Sequence, residues 1–293
     1  VFFSSTAAEN RATVLGADFA INRLTVSDTN ETSINGDNTL TITNGITVSN
    51  GAGRMTITSD VDLAGDQTWL NNSANPFVID GDSIGGSGFD LTIDGTGMTL
   101  VNSIIETGTG SLTKTGIGSL TLYRENTYSG GTVLNNGLLE AANNQALGLG
   151  DVAVNRGVLR TINDLTTPAN TPIRLEIGGD YSQETPSELQ LRIIGPSGVN
   201  DQLWIEGSAE LGGTFRPDYG SLGYNPIPPA GSYTDEFHIL HANGGIAGQF
   251  DNFIDVHFNP DFLLRWEPVY ETNDVFLLWN QHPFTELDGL TRN

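Results

Sequence analysis

Two aspartates that stand two residues apart, Asp80 and Asp82, could form an acid pair of the kind that cleaves polysaccharides. That chemistry also needs a positive residue near the carboxylates, as a base or as a clamp on a sugar acid. The first half of the chain offers one lysine, Lys114, and a few scattered arginines. Carboxylates within a turn of Asn, Asp and Gly more often cap the backbone. We therefore predict no catalytic residues and no enzyme, and keep a polysaccharide-acting enzyme as the second alternative.

The stretch GGSGFDLTI at 85–93 matches the nonapeptide Gly-Gly-x-Gly-x-Asp-x-Leu-x of calcium-binding repeats. Stacked copies of that nonapeptide share ions, whereas the sequence holds one clean copy. Because Ca²⁺ takes about six to eight oxygen ligands, a lone copy supplies half of a coordination shell. We predict no metal site and no cofactor, and name as weak calcium candidates Asp80, Asp82, Asp90 and Asp94.

Three of the four histidines lie in the C-terminal part of the chain before its tail. His238 and His241 are three residues apart in the apparent strand FHILHA at 237–242, so we expect them to point to opposite faces and to form no metal pair. His257 follows them, and His282 lies in the tail. The sequence contains no Gly-x-Ser-x-Gly, His-Glu-x-x-His or phosphate-binding loop.

Short β segments separated by turn residues run through the first 160 residues. Segments such as RLTVS at 23–27, TLTIT at 39–43 and SLTLY at 119–123 hold two apolar residues with a Thr between them. In a strand, this spacing puts the apolar groups on one face and the Thr on the other. A sandwich or barrel and a solenoid both use such strands. The recurring Leu-Thr-Leu/Ile unit favours the solenoid, with an inner aliphatic column and outer Thr ladders.

Composition limits the classes of partner. The 293 residues carry a formal net charge of -23, which repels nucleic acids and anionic membranes. No apolar run reaches the length of a membrane span, so we expect no membrane insertion. The absence of cysteine excludes a disulfide framework and a thiol nucleophile. The first residues lack the basic start and long apolar core of a signal peptide, so we expect a mature chain or one whose leader is not shown.

The composition changes near residue 168, where TTPANTP interrupts the β pattern and prolines and aromatic residues begin to multiply. We therefore predict a β-solenoid over 1–167 and a β-rich terminal module over 168–280 that continues or caps it. An uncapped solenoid exposes a strand edge that invites pairing. Residues 281–293 are expected to form an extended tail.

One segment resembles a known family. The stretch LTKTGIGSLTLYRENTYSGGTVLNNGLL at 112–139 resembles the autotransporter-associated β-strand repeat, also called the passenger-associated transport repeat. The repeat occupies about 110–139, and the matching residues are Leu112, Thr113, Lys114, Gly116, Gly118, Leu120, Leu122, Asn126, Thr127, Tyr128, Gly130, Gly131, Thr132, Gly137 and Leu139. The flanking segments and residues 178–279 also look like parts of such proteins.

The resemblance implies an all-β, right-handed parallel β-helix with a C-terminal β-rich capping module. It also implies export to the outside or the cell surface of a Gram-negative bacterium. Autotransporters end in a membrane barrel, and the sequence stops at QHPFTELDGLTRN without room for one. We expect a free secreted relative rather than a passenger whose barrel was removed.

Within the repeat the residues look like scaffold. Leu112, Leu120 and Leu122 are expected to fill the inner column, Asn126 to bond corner backbone, and Tyr128 to cover a coil edge. Lys114 is either a contact residue or, as is more common, a solvated lysine on an outer face.

The termini suggest self-association, although apolar ends can also simply fray. The candidate self-association residues are Val1, Phe2, Phe3, Phe284, Leu287 and Leu290. Docking of such ends on a neighbouring copy is head-to-tail and produces a filament. We therefore predict a non-enzymatic, secreted structural or adhesive solenoid that forms a fibre or surface layer. The first alternative is a monomeric passenger-like adhesin that binds a surface glycan or a host protein.

Overall fold

The computed structural model describes residues 2–3, 11–163, 168, 171–195, 199–219, 236–254 and 264–281. Within these ranges the protein is all-β and contains no helix. The strands of the described residues are β1 (Phe2–Phe3), β2 (Ala12–Val14), β3 (Phe19–Ile21), β4 (Leu24–Val26), β5 (Thr32–Asn35), β6 (Leu40–Ile42), β7 (Ile46–Val48), β8 (Met55–Ile57), β9 (Val61–Leu63), β10 (Gln67–Asn71), β11 (Phe77–Ile79), β12 (Ser83–Gly86), β13 (Leu91–Gly95), β14 (Thr99–Val101), β15 (Ile104–Glu106), β16 (Leu112–Lys114), β17 (Ser119–Leu122), β18 (Thr132–Leu134), β19 (Leu138–Ala141), β20 (Val152–Val154), β21 (Val158–Thr161), β22 (Arg174–Ile177), β23 (Tyr181–Gln183), β24 (Glu188–Arg192), β25 (Gln202–Ile205), β26 (Ala209–Leu211), β27 (Thr214–Asp218), β28 (Glu236–Ala242), β29 (Ile246–Gly248), β30 (Asn252–Phe253), β31 (Leu264–Tyr270) and β32 (Asp274–Gln281).

These strands stack into a parallel β-solenoid, as the sequence predicts. Among the described residues, sheet A and sheet B each have 11 strands and run the length of the molecule. Sheet A has the order β1-β4-β7-β10-β13-β16-β18-β20-β23-β26-β29, and sheet B the order β2-β5-β8-β11-β14-β17-β19-β21-β24-β27-β30. A third side consists of sheet C, ordered β15-β12-β9-β6-β3, and later of sheet D, ordered β22-β25-β28-β32-β31. The right-handedness of the coil stays a prediction.

The core is the inner column that the alternation predicts. In strands such as β6 and β7 the outer two residues are buried and the central Thr is half-buried. Equivalent residues of successive coils pair in register, for example Leu24 with Ile46 and Thr25 with Thr47. Stacking in register places aliphatic groups above one another and removes them from water, which stabilises the coil by roughly 25 cal/mol per Å² of apolar surface.

The middle coils have sheets A and B but no strand on the third side. There the segments between β17 and β18 and between β19 and β20 close the coil. Their buried side chains include Asn126, Tyr128, Ala146 and Leu147. These coils recur every 20 residues, because Leu112 pairs with Thr132 and Thr132 pairs with Val152. The irregular side is therefore sealed by side chains rather than by a sheet.

The C-terminal region contains the antiparallel pairing of the fold. In sheet D, β22, β25 and β28 are parallel, whereas β32 runs antiparallel to both β28 and β31. Sheets A and B both contain strands before and after residue 168. The division at 167/168 stays a prediction, and the tail 281–293 lies outside the described residues except for position 281.

Among the described residues, no helix is long and apolar enough to cross a membrane.

Candidate functional site

Two histidines and an aspartate meet on the outer face of sheet D. His238 Nε2 lies 2.8 Å and His241 Nδ1 lies 2.7 Å from the same oxygen, Asp274 Oδ1. The ligand atoms of these three side chains all lie within 4.8 Å of one another. No other group of three or more histidine or carboxylate side chains in the described part of the chain is this close. The three side chains are half-buried and remain in contact with solvent.

The prediction that His238 and His241 point to opposite faces is wrong. The pairing of β28 with β32 shifts register between His238 and Leu240, which is a β-bulge. Ile239 and Leu240 are both fully buried, so the alternation is interrupted by one residue. A bulge adds one residue to a strand and reverses the face of everything after it. Both histidines therefore point outward.

Aromatic rings hold the two imidazoles in place. The ring of His238 stacks on Phe276 with centroids 4.8 Å apart, and the ring of His241 stacks on Trp204 at 4.2 Å. The Arg174 guanidinium lies 4.9 Å from the Trp204 ring centroid. Because β25 lies between β22 and β28, the cation and the imidazole approach the indole from two sides. Trp204 thus contacts a guanidinium from one neighbouring strand and an imidazole from the other.

A chain of hydrogen bonds fixes the orientation of His241. Its Nε2 lies 3.0 Å from Asn243 Oδ1, and Asn243 Nδ2 donates to Glu206 Oε2 at 2.8 Å. The hydrogen bond to Asp274 raises the pKa of His241 above its ordinary value. Burial opposes this shift by disfavouring the charged ring.

The second group of interest lies in the middle coils. Asn126 is buried and links three coils, since its Oδ1 accepts from the Ile105 amide at 2.7 Å and its Nδ2 donates to the Ala146 carbonyl at 2.6 Å. The prediction that Asn126 bonds corner backbone is confirmed. The side-chain amide of Asn126 thus provides partners for the Ile105 N–H and the Ala146 carbonyl, on a side of the coil that has no sheet to pair them.

Tyr128 lies in the core rather than at an edge. Its ring is fully buried, and its hydroxyl hydrogen-bonds Thr132 Oγ1, which donates to the Leu147 carbonyl at 2.8 Å. Burial raises the pKa of Tyr128 above its ordinary value. Leu112, Leu120 and Leu122 are buried, as predicted.

Lys114 is buried inside the solenoid, so the prediction of a solvated outer lysine is wrong. It is 1% exposed, and its Nζ donates to the carbonyls of Gly116 and Asn136, the latter at 3.4 Å. Burial lowers the pKa of Lys114 to about 8, although the Asp94 carboxylate opposes the shift. In β16 the side chains of Leu112 and Lys114 are buried and that of Thr113 is half-buried. The lysine therefore occupies an inward position that an aliphatic residue fills in other strands.

Residues 112–141 match the family model described as the passenger-associated-transport-repeat. This segment is similar to a passenger-associated transport repeat. The match begins at the first residue of β16 and ends at the last residue of β19. The repeat thus contains the strands of two coils together with Asn126, Tyr128 and Lys114. No curated protein sequence matches the chain. The repeat and the parallel solenoid together support an autotransporter-passenger-like β-helix.

The four calcium candidates precede the repeat in the sequence, and their carboxylates do not form one cluster. Asp80 accepts from Asn102 Nδ2 at 2.9 Å, Asp90 accepts from the Ser111 amide at 2.8 Å, and Asp94 accepts from the Gly95 amide at 2.7 Å. Asp82 is exposed. Asp80 and Asp82 lie in the turn between β11 and β12, Asp90 lies just before β13 and Asp94 lies within β13. Asp80, Asp90 and Asp94 thus cap backbone or a neighbouring amide, and the four carboxylates form no close group of three among the described residues.

Aspartate capping from one coil to the next is a general device of sheet A. Asp66 Oδ1 accepts from the Asp90 amide at 2.9 Å, and Asp90 accepts in turn from Ser111. Beyond the repeat, Asp180 accepts from the amide and hydroxyl of Ser208. The hydrogen bond from the Ser208 amide, and to a smaller extent the one from its hydroxyl, holds the pKa of Asp180 below its usual range. Part of the acidic composition therefore serves coil stacking.

The structure gives partial information on the self-association candidates. The backbone of Phe2 and Phe3 forms β1, which pairs with Thr25 and Val26 of β4. Their side chains lie outside what the structure describes, as do Val1, Phe284, Leu287 and Leu290. His257 and His282 also lie outside the described residues.

Proposed function

We propose that the protein is an exported, non-enzymatic β-solenoid scaffold of the autotransporter-passenger kind, which acts outside a Gram-negative cell and joins copies of itself end to end. The observation that carries this proposal is the pair of open ends of the stack. Sheets A and B begin with β1 and β2 and end with β29 and β30, and in the described residues each of these strands has a partner on one side.

The first coil exposes two large apolar side chains, of which Phe19 is the register partner of the buried Leu40. Val14 in β2 is 71% exposed and Phe19 in β3 is 49% exposed. Both lie on terminal strands of their sheets, beside backbone groups without a strand partner among the described residues. Unpaired strand edges that carry apolar side chains favour the addition of another strand.

The last coil offers a compatible edge at β30, whereas the Ile246 amide of β29 already donates to the Thr272 carbonyl at 2.9 Å. β29 and β30 end sheets A and B with half-buried Ile246 and Phe253, and Ile254 is exposed. Because the strands within each of these sheets are parallel, a second copy displaced along the solenoid axis presents its β1 and β2 in the required direction. A contact of this kind does not close and extends into a filament.

The acidic character opposes association at low ionic strength. Two chains with a formal net charge of -23 each repel one another unless salt screens them. The screening length is about 10 Å at 0.1 M salt, which is short compared with the molecule. We therefore expect assembly to increase with ionic strength.

The experiment compares two sets of exposed apolar residues. Val14→Asp with Phe19→Asp adds charge to the open edge, and because both side chains are exposed, the fold of the monomer is expected to survive. Ile117→Asp is the matched control, since Ile117 is 69% exposed but lies in a corner between β16 and β17. Sedimentation velocity, light scattering and negative-stain micrographs are recorded at several salt concentrations.

We expect the unaltered chain and Ile117→Asp to form higher-order species, and the edge variant to remain monomeric with an unchanged circular-dichroism spectrum. Assembly that persists in the edge variant would show that the first coil is not the contact. If the unaltered chain stays monomeric at every concentration, the protein is better described as a solitary passenger-like adhesin.

A further inference from the structure

We propose that His238, His241 and Asp274 form a binding site for one divalent transition-metal ion, represented here by Zn²⁺, on the outer face of sheet D. The ligand set of two imidazoles and one carboxylate suits zinc, which binds histidine nitrogen and carboxylate oxygen at about 2.0–2.2 Å. It does not suit calcium, which needs about six to eight oxygens. The site is distinct from the aspartates that the nonapeptide singled out.

The ligand atoms already converge. Both histidine nitrogens lie within hydrogen-bonding distance of Asp274 Oδ1, and all three atoms lie within 4.8 Å of one another. Atoms at this separation reach a common metal ion through small changes of side-chain torsion. The three residues come from two strands that face each other directly, because His241 is the register partner of Asp274.

The hydrogen bonds around His241 direct its Nδ1 towards Asp274. Asn243 directs its Nδ2 to Glu206, so its Oδ1 faces His241 Nε2 and accepts the proton carried there. A neutral ring with its proton on Nε2 has a bare lone pair on Nδ1. That lone pair faces a carboxylate oxygen 2.7 Å away, which is repulsive unless a proton or a metal ion lies between them. Metal-binding histidines commonly have such a partner on the second nitrogen.

Packing reduces the entropy that binding would cost. The stacking of His238 on Phe276 and of His241 on Trp204 restricts both rings before any ion arrives. Ligands that are held in place lose less freedom on binding. The side chains are also 20–26% exposed, so an ion can reach them from solvent.

The β-bulge supplies a further oxygen. The Leu240 carbonyl lies 3.1 Å from His238 Nε2, beside the position where the three ligand atoms meet. The carbonyl can accept a hydrogen bond from the water that completes the tetrahedral coordination of a zinc ion with three protein ligands. The bulge thus has two effects, since it brings the second histidine outward and places a carbonyl at the site.

The ion would tie the antiparallel part of sheet D to the solenoid. His238 and His241 lie on β28, the last parallel strand of the sheet, and Asp274 lies on β32. Zinc bound to both strands stabilises the folded chain, because the ligands are apart in the unfolded chain.

The test is a calorimetric titration of the metal-free full-length chain with Zn²⁺ near neutral pH, together with thermal unfolding with and without the ion. We expect one ion per chain and a higher melting temperature. His241→Ala and Asp274→Asn should each weaken binding more than about tenfold, and Asn243→Ala by roughly ten- to a hundredfold. Asp62→Asn, in β9 of sheet C, is the matched carboxylate control and should bind as the unaltered chain does.

Three results would overturn the proposal: no stoichiometric binding to the unaltered chain, equal binding by folded His241→Ala and Asp274→Asn, or equal loss in Asp62→Asn. The first would mean that the cluster holds only a proton. Circular dichroism checks each variant, and if His241→Ala does not fold, Asp274→Asn and Asn243→Ala decide the matter.

Discussion

The buried amine of Lys114 occupies a position that its neighbours fill with aliphatic groups. Its partners are backbone carbonyls of Gly116 and Asn136, so its charge is hydrogen-bonded but not directly paired. Removal of a charged amine from water disfavours the charged form. The pKa of Lys114 is accordingly lowered from 10.5 to about 8.

This shift predicts a pH dependence of stability. Between about pH 8 and 10 the unfolded chain binds more protons at Lys114 than the folded chain does, so the free energy of unfolding rises with pH. The slope has an upper limit of about 1.4 kcal/mol per pH unit. Lys114→Met should remove the rise. Above pH 10 the raised pKa values of Tyr128 and Tyr181 act in the opposite direction, which limits the window.

The measurement is urea denaturation of both proteins at intervals from pH 7 upward. Two parallel profiles would contradict the assignment of a shifted amine. If Lys114 had an ordinary pKa, the free energy of unfolding would have the same pH dependence in both proteins between about pH 8 and 10.

Individual residues were the hardest part to predict from the sequence. In Leu112-Thr113-Lys114 the alternation alone places Lys114 inside, but its charge favours a solvated position. Only the three-dimensional contact with Gly116 and Asn136 decides between the two. Alternation alone cannot show that His238 and His241 share a face, because one bulged residue between them reverses the expected face.

At the scale of elements, the corners depend on close approach of one coil to the next. Gly148 has φ +74° and packs against Tyr128, so that a Cβ would lie 2.7 Å from the Tyr128 carbonyl oxygen and from Cε2 of its ring. Gly51 has a similar φ of +79° with open space around it. Gly51 is therefore required only for its left-handed backbone, whereas Gly148 is required for its backbone and for its close packing against Tyr128.

Alanine at these positions should therefore have unequal effects. Gly51→Ala carries only the cost of a left-handed backbone, about 1 kcal/mol. Gly148→Ala adds overpacking against a buried ring and should cost about 1–3 kcal/mol more. Chemical denaturation of both variants gives the two free energies of unfolding. Equal losses would mean that both the ring and the carbonyl of Tyr128 move aside at no cost.

The strands were well predicted because alternation and turn residues are local signals. TLTIT at 39–43 contains β6, and SLTLY at 119–123 contains β17. The irregular third side of the middle coils could not be read in this way. Its closure depends on Asn126 and on contacts with Ile105 and Ala146, about 20 residues away on either side.

At the scale of the whole molecule, the coil is the repeating unit. Register partners such as Leu112, Thr132 and Val152 are equivalent positions in three successive coils. A stack of equivalent units gains its stability from each unit and from contacts with its neighbours. The length of the stack is therefore less important than its register.

Removal of residues 112–131 deletes one complete coil and joins equivalent positions. We expect a folded, shorter solenoid with a lower melting temperature and one cooperative transition. Removal of residues 112–121 joins positions on different faces and should abolish folding, because every following apolar residue loses its place in the column. Circular dichroism and thermal unfolding compare the two. Similar behaviour of both deletions would argue against a strict register.

The stacking direction also determines how the molecule would respond to force. The hydrogen bonds between coils connect each strand to the equivalent strand of the next coil. Tension applied along the axis would thus peel coils away one after another, each held by a few backbone bonds. A released 20-residue coil extends by up to roughly 70 Å of contour length. The solenoid would lengthen in steps under tension. A filament of such molecules would therefore extend gradually rather than break at once.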